Sequence, residues 1–194
     1  SLGNQLKQVA KIMKLNQTPP GLGLVRQVFF VSQGGYDTHQ DQLNDQGNNF
    51  TDLSAAMNAF YMATLELGLQ NSVTTFTMSD FGRTLQPSGS GGGIGSDHAW
   101  GNHQFVMGAA VSGGEFYGRN NPNTGSKFPV HQFGGPDDTT TSVNGRGRFI
   151  PATSIEEYGV TLAKWFGVTS GDVPTVFPLI GNFEASPYPG LGFV

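Results

Sequence analysis

Three short stretches concentrate the side chains of this sequence that can hold a cation or move a proton. "GGYDTHQ" carries Asp37 and His39, "SDFGRT" carries Asp80 and Arg83, and "GSDHAWGNH" carries Asp97, His98 and His103. Three of the chain's 4 histidines therefore lie within a few residues of a carboxylate. Mixed carboxylate and imidazole donors suit zinc, manganese or iron, whereas calcium and magnesium prefer oxygen alone. Asp37 and His39 stand two apart, so extended backbone projects both to the same side. Asp97 and His98 are adjacent; they reach one cation together only from a loop, or else serve two different cations. Arg83 offers a planar fork to a phosphate or sulfate oxygen pair, or to a carboxylate held in place. A metal centre beside such a guanidinium is equipment for hydrolysing an anionic ester.

Each stretch alone has a plainer reading. A D-x-H in a loop is commonly an Asx turn beside a hydrogen-bonded histidine. "SDFGRT" can be a strand-end turn with an Asp–Arg pair, and Asp97 can cap a turn. Their joint placement is what favours a metal site. His131, in "KFPVHQFGG", has no carboxylate close in sequence and reads as structural. "SGSGGGIG", Ser88 to Gly95, lacks both the G-K-[ST] of a phosphate loop and the G-x-G-x-x-G of a dinucleotide fold, so it reads as an active-site flap or a linker. "NGRGR", Asn144 to Arg148, reads as a tight hairpin turn carrying two arginines.

The elements that must position these groups follow from periodicity. Leu2, Leu6, Val9 and Met13 recur at helical spacing and predict an amphipathic helix over residues 4–15, ended by "QTPPGLG". "VFFVS", Val28 to Ser32, is a continuous apolar run, the pattern of a strand covered on both faces of a parallel sheet. Leu53, Met57, Phe60, Ala63, Thr64 and Leu67 predict a second helix from an N-cap at Thr51 to a stop at Gly68. "SVTTFTMS", Ser72 to Ser79, is a second strand, and "HQFVMGAAV", His103 to Val111, a third. Strand, helix, strand implies a right-handed βαβ unit, with Asp37, His39, Asp80 and Arg83 past the carboxyl ends of its strands, where open sheets bind ligands. "SIEE", Ser154 to Glu157, is a capping box opening a helix whose apolar face is Tyr158, Leu162, Trp165 and Phe166 and which Gly167 stops. The expected architecture is α/β: a mainly parallel sheet flanked by helices, with long Gly/Asn-rich loops.

Composition narrows the function classes. The chain has 194 residues, about one ordinary domain, with 10 basic against 14 acidic residues and a formal charge of −4, which argues against electrostatic capture of nucleic acid. Cysteine is absent, so disulfides, thiolate zinc sites, iron–sulfur clusters and cysteine nucleophiles are excluded. No stretch reaches the ~18 apolar residues of a membrane span. Ser1 in place of an initiator Met, with no basic-then-apolar leader, suggests a processed product or a fragment.

At "GGYDTHQ", "SDFGRT" and "GSDHAWGNHQFVMGAAVSGG", supported by "QLKQVAKIMK", "VFFVSQGG" and "FPLIGNF", the chain resembles a bacterial family catalogued as domain-of-unknown-function family 1501. The resemblance runs over nearly all the chain. It implies membership of the alkaline phosphatase and sulfatase superfamily, an alkaline-phosphatase-like α/β sandwich, one or two divalent metals, and export to the periplasm or beyond. By position, Asp37 and His39 match the family's G-W-D-T-H motif, with Tyr36 for Trp. Asp80 and Arg83 match S-E-F-G-R-T, with Asp80 for Glu, and Asp97 and His98 match the D-H pair, with Ala99 for Gly. Family members are longer, so the resemblance makes this chain the C-terminal half of a larger domain, with the nucleophile outside it.

The resulting expectation is a hydrolase of phosphate or sulfate esters. Zinc or manganese would be held by Asp37, His39, Asp80, Asp97, His98 and His103, and Arg83 would orient an anionic ester. Its partners would be that ester, the missing N-terminal part or copies of itself. The contrasting expectation is an exported structural, adhesive or self-assembling protein that keeps the fold without catalysis. A carbohydrate-binding module using Tyr36, Trp100 and Tyr117 is a third.

Overall fold

The computed structural model describes residues 1–91, 93–139 and 145–194. The chain forms two compact units. Ser1–Met78, Gln86–His98 and Gln104–Ala110 make the first; Ser79–Leu85, Ala99–His103 and Val111–Val194 make the second.

In the first unit, helix α1 spans Leu2–Gln17. The Ser1 hydroxyl accepts the Asn4 N–H at 3.4 Å, and the helix ends at Thr18, ahead of Pro19 and Pro20. Its buried residues are Leu2, Leu6, Val9 and Met13, the stripe that the spacing predicts. Helix α2 spans Gln42–Glu66 and starts well before Thr51. Thr51 is not a cap: it lies inside the helix and its hydroxyl donates to the Gly47 carbonyl at 2.8 Å. Polar "QLNDQGNN" has no apolar stripe to reveal its helicity, so periodicity alone places the start too late. Gly68, at φ +67°, ends the helix as expected. Ala56 and Phe60 of α2 close onto the α1 stripe, and Val31, Leu53, Leu67, Leu69 and Val73 pack around that core.

The expected mainly parallel, alkaline-phosphatase-like α/β sheet is not what the chain forms. Among the described residues about 32% are helical, and the sheets are short antiparallel pairs. Strand β1, Thr75–Phe76, pairs with β4, Val106–Met107, in the register Thr75↔Met107 and Phe76↔Val106. Strands β2, Arg83–Ser88, and β3, Gly95–His98, form the other pair. The expected strands Ser72–Ser79 and His103–Val111 thus shrink to two residues each. Beyond them the Thr77 side chain joins in: it donates to Gln104 Oε1 at 2.8 Å and accepts the Phe105 N–H at 2.9 Å.

The largest correction concerns Val28–Ser32, which joins no sheet. Val28 is 75% and Phe30 91% exposed, so the apolar run is not covered on both faces. Side-chain amides hold this segment instead of a strand ladder. Gln5 donates to the Ser32 carbonyl at 2.7 Å and accepts the Ser32 N–H at 3.0 Å. Asn16 clasps Leu24 in the same reciprocal way, at 2.8 and 3.0 Å. Asn49 Nδ2 donates to the Gly35 carbonyl at 2.7 Å, and Gln33 Nε2 to the Asn49 carbonyl at 3.1 Å. With its βαβ premise gone, the right-handed crossover goes too.

In the second unit, helix α3 spans Ile155–Phe166. Both halves of the predicted capping box are present: Ser154 accepts the Glu157 N–H at 3.1 Å, and Glu157 accepts the Ser154 N–H at 2.8 Å. Gly167, at φ +110°, stops the helix. Of the expected apolar face only Tyr158 is buried; Leu162, Trp165 and Phe166 are half-buried. The core is built on Val160 with Val173 of helix α4, Val173–Val176, and Ile180 of a 3-10 turn at Ile180–Asn182. The described part of the Gly/Asn-rich region, 112–139 and 145–147, is mostly loop, as expected, and is held by two buried carboxylates. Asp138 accepts the N–H groups of Gly134 at 3.1 Å and Gly147 at 2.8 Å, beside an antiparallel bridge to Phe149. The hairpin turn expected at Asn144–Arg148 begins outside the described residues. Asp137 accepts the Val130 N–H at 2.6 Å and the amides of Asn121 and Asn123.

The Val130 N–H, chiefly, holds the Asp137 carboxyl below its ordinary value of 3.8; burial opposes this and the Asn123 and Asn121 amides add to it. A depressed folded-state value means the carboxylate's contribution to stability is complete above pH 3.8 and disappears as pH falls through that lower value. Urea unfolding of the second unit should therefore lose stability below about pH 4, and Asp137→Asn should flatten that acid limb. In the first unit, Phe60→Ala should cost about 3–5 kcal/mol, while Phe30→Ser should change stability by less than about 0.5 kcal/mol. Comparable losses from both would show that the Phe30 side chain is not in solvent.

Candidate metal centre

The site is assembled at the end of the amide-held segment. Burial alternates there: Asp37 and His39 are exposed on either side of Thr38, which is 4% exposed. The Thr38 N–H reaches back to the Tyr36 carbonyl at 2.9 Å, a three-residue turn centred on Asp37. Two further bonds pin Thr38: its hydroxyl accepts from Gln46 Nε2 of α2 at 2.9 Å, and its carbonyl accepts the Ser96 N–H of β3 at 3.2 Å. The start of α2 secures β3 in turn, because the Gln42 N–H donates to the Ile94 carbonyl at 3.1 Å and Ser96 Oγ donates to Gln42 Oε1. Gly95 lets the two backbones meet: a Cβ there would lie 2.2 Å from the His39 carbonyl carbon and 2.5 Å from the Thr38 carbonyl oxygen.

This arrangement brings Asp37, His39 and His98 onto a triangle. His39 Nε2 is 3.0 Å from Asp37 Oδ1, His98 Nε2 is 2.9 Å from the same oxygen, and the two Nε2 atoms are 3.1 Å apart. Asp97 Oδ1 faces the other ring nitrogen of His39, Nδ1, at 3.7 Å. Adjacent residues of a strand project to opposite sides, which separates Asp97 from its neighbour His98. All the triad side chains are about half exposed.

The donor set fits a divalent transition metal. Three donors mutually cis on a cation at about 2.1 Å stand about 3.0 Å apart, whereas tetrahedral donors stand about 3.4 Å apart. The observed edges, 2.9 to 3.1 Å, match the cis arrangement of two imidazoles and one carboxylate on one face of a cation. Three lone-pair atoms this close repel one another unless a proton or a cation stands among them.

The other expected site residues belong to the second unit. Asp80 is exposed. The Arg83 guanidinium lies over the Phe81 ring, 5.8 Å from its centre. His103 packs its ring on Phe128 at 5.5 Å, and His131 packs on Phe149 at 5.2 Å. The triad itself lies entirely within the first unit. Gln42, Gln46 and Gly95 were not legible as parts of this site. An amide that binds a distant backbone looks like any polar surface residue, and nothing local to Gly95 announces that His39 lies against it.

A family model described as "Protein of unknown function (DUF1501)" matches residues 24–134, a span that includes the whole triad. No curated protein and no solved structure matches the chain.

Crowding at Gly95 gives a direct test of the backbone contact. Gly95→Ala should lower the urea midpoint of the first unit by an amount equivalent to about 1–3 kcal/mol, because the obstructing atoms are backbone and cannot swing aside. A variant as stable as the parent would mean that β3 does not lie against His39.

Proposed function

We propose, on the premise that the chain belongs to the DUF1501 family of proteins of unknown function, that it is a metal-dependent hydrolase of phosphate or sulfate esters. The observation that carries this reading is the triangle of Asp37, His39 and His98 donor atoms. Asp37 supplies the negative charge and the two neutral imidazoles the remaining donors, a combination that favours zinc or manganese over calcium. When bound, such a cation polarises an ester oxygen and lowers the pKa of a water or hydroxyl. Asp37, His39 and His98 would hold the cation, and their half-exposed side chains are open to solvent. Acid should release the metal, since each imidazole must be neutral to donate.

The choice of anionic esters rests on the resemblance to the phosphatase and sulfatase superfamily, and bacterial export belongs to the same reading. Asp80, Arg83 and His103, which the sequence adds to this site, lie in the second unit. A second reading, a non-catalytic protein that assembles with copies of itself, is favoured by the uncharged run from Gln27 to Gly34, whose Val28 and Phe30 are exposed without the charges or prolines that usually guard such segments.

The test is metal content after exhaustive dialysis, followed by turnover of aryl phosphate and aryl sulfate esters. The expected outcome is one or two equivalents of zinc or manganese, lost in the Asp37→Ala/His98→Ala double variant but kept in Arg83→Ala. Metal content unaffected by the double variant would rule the triad out. Bound metal without turnover, in a protein that sediments as an ordered oligomer, would favour the second reading.

A further inference from the structure

The extended segment 27–32 of the first unit has one covered edge and one open edge. Along extended backbone the N–H and C=O of a residue point to the same edge, and those of its neighbour to the other. Gln5 of α1 takes both groups of Ser32, so the backbone groups of Val28, Phe30 and Ser32 are turned toward α1. Those of Gln27, Phe29 and Val31 are turned to the other edge, and among the described residues nothing bonds them. Asn49 does take the Gly35 carbonyl, but Gly35, at φ +93°, has already broken the alternation. An open row of backbone donors and acceptors is a template on which another extended chain adds as a strand.

The chain that fits this edge is a second copy of the same segment. Residues 27–34 carry no charge and no proline, the two devices that most often keep strand edges apart. Turned antiparallel about Phe29, the segment meets itself with Phe29 opposite Phe29 and Gln27 opposite Val31. These are the pairs that exchange backbone bonds, and they use only the open groups. Val28 then faces Phe30 of the other copy, a β-branched side chain against an aromatic one, which is a favourable cross-strand pair. Both side chains stand in solvent in the single chain, at 75% and 91% exposure. Arg26, the nearest charge, falls opposite uncharged Ser32. Val31 keeps its side chain on the helix core throughout. We propose that segment 27–32 is a self-association edge, on which two copies of the chain join as a two-fold dimer by antiparallel strand pairing. Because α1 covers the opposite edge, the pairing closes at two copies and does not propagate.

The edge gives the self-assembly of the second reading a definite place, yet it does not exclude catalysis and stands whichever reading of the metal centre holds. Sedimentation equilibrium of the parent protein, from micromolar to submillimolar concentration, should show monomer and dimer only. Val28→Lys/Phe30→Lys sets like charges opposite each other across the pairing and should weaken the dimer at least about tenfold. Val28→Lys/Phe30→Glu sets opposite charges there and should recover it at low salt. Both variants alter exposed side chains alone, so circular dichroism and metal content should match the parent, and a failure of the metal reading is seen separately. The chain has no cysteine, so Val28→Cys/Phe30→Cys should give a disulfide-linked dimer on oxidation, whereas Phe30→Cys alone should not. Pairing makes stability depend on protein concentration, so the small effect expected of Phe30→Ser refers to the dissociated chain. A parent that stays monomeric overturns the proposal, as does a filament or a dimer that the two-lysine variant leaves intact. A Lys/Glu variant that recovers nothing, or a dimer cross-linked by Phe30→Cys alone, overturns it through the register. Slow hydrogen exchange at the Phe29 and Val31 amides of a monomer would overturn it too, because another part of the polypeptide would then cover the edge.

Discussion

The geometry of the candidate site depends on one residue that takes no part in its chemistry. Thr38 is buried, and it is the point where helix α2 and strand β3 are joined to the segment that ends at His39. Its hydroxyl is held by Gln46 and its carbonyl by Ser96, so both bonds are made away from solvent, where leaving a polar group unpaired costs most. With Thr38 fixed inward and the chain turned at Asp37, Asp37 and His39 are both left exposed, and their donor atoms meet at 3.0 Å. His98 is then brought to them by the strand that Thr38 anchors. The site is a consequence of backbone pairing more than of any attraction among its own members.

The segment that delivers Thr38 shows how a chain can be held straight without a sheet. Gln5, Asn16 and Asn49 each offer an amide with both a donor and an acceptor, the same functional group as a neighbouring strand's backbone. Gln5 and Asn16 use both ends on a single residue, so each replaces one rung of a ladder. The amides come from two helices whose apolar faces already meet, and the rigidity of that helix pair passes directly to the segment. Val31 turns inward to the helix core and Phe30 outward, the alternation of a strand with one face covered.

This explains which features were legible in the sequence. The α1 stripe, the Gly68 stop and the Ser154–Glu157 capping box are local, and each is where its pattern puts it. The D-x-H pair was legible as a pair, although a turn centred on Asp37, not the extended backbone expected, brings its two side chains together. What was not legible was supplied from a distance. "VFFVS" has the composition of a buried parallel strand, but composition does not say whether a partner strand or a row of amides receives its backbone. The start of α2 was hidden for a related reason, because its first turns are amide-rich residues that serve the site and carry no apolar period. Asp97 and His98 are adjacent in sequence, and the alternation of β3 turns them to opposite sides.

The energetics favour a functional explanation of the triangle over a structural one. Ion pairs between side chains this exposed contribute at most about 1 kcal/mol, and often nothing measurable. Holding three side chains in fixed rotamers costs a comparable amount or more in entropy. The contacts among Asp37, His39 and His98 therefore do not maintain their own geometry; Thr38, Ser96 and Gly95 impose it from the backbone. Imposing it means holding two ring nitrogens and a carboxylate oxygen within 3.1 Å of one another, an arrangement that is favourable only where protons or a cation stand among them. A stability role would have been met equally well by separated, solvated side chains. The closeness makes physical sense when a positive centre stands among the three atoms, and a proton can serve only part of that need, because it bridges two of them at a time. A divalent cation serves all three together.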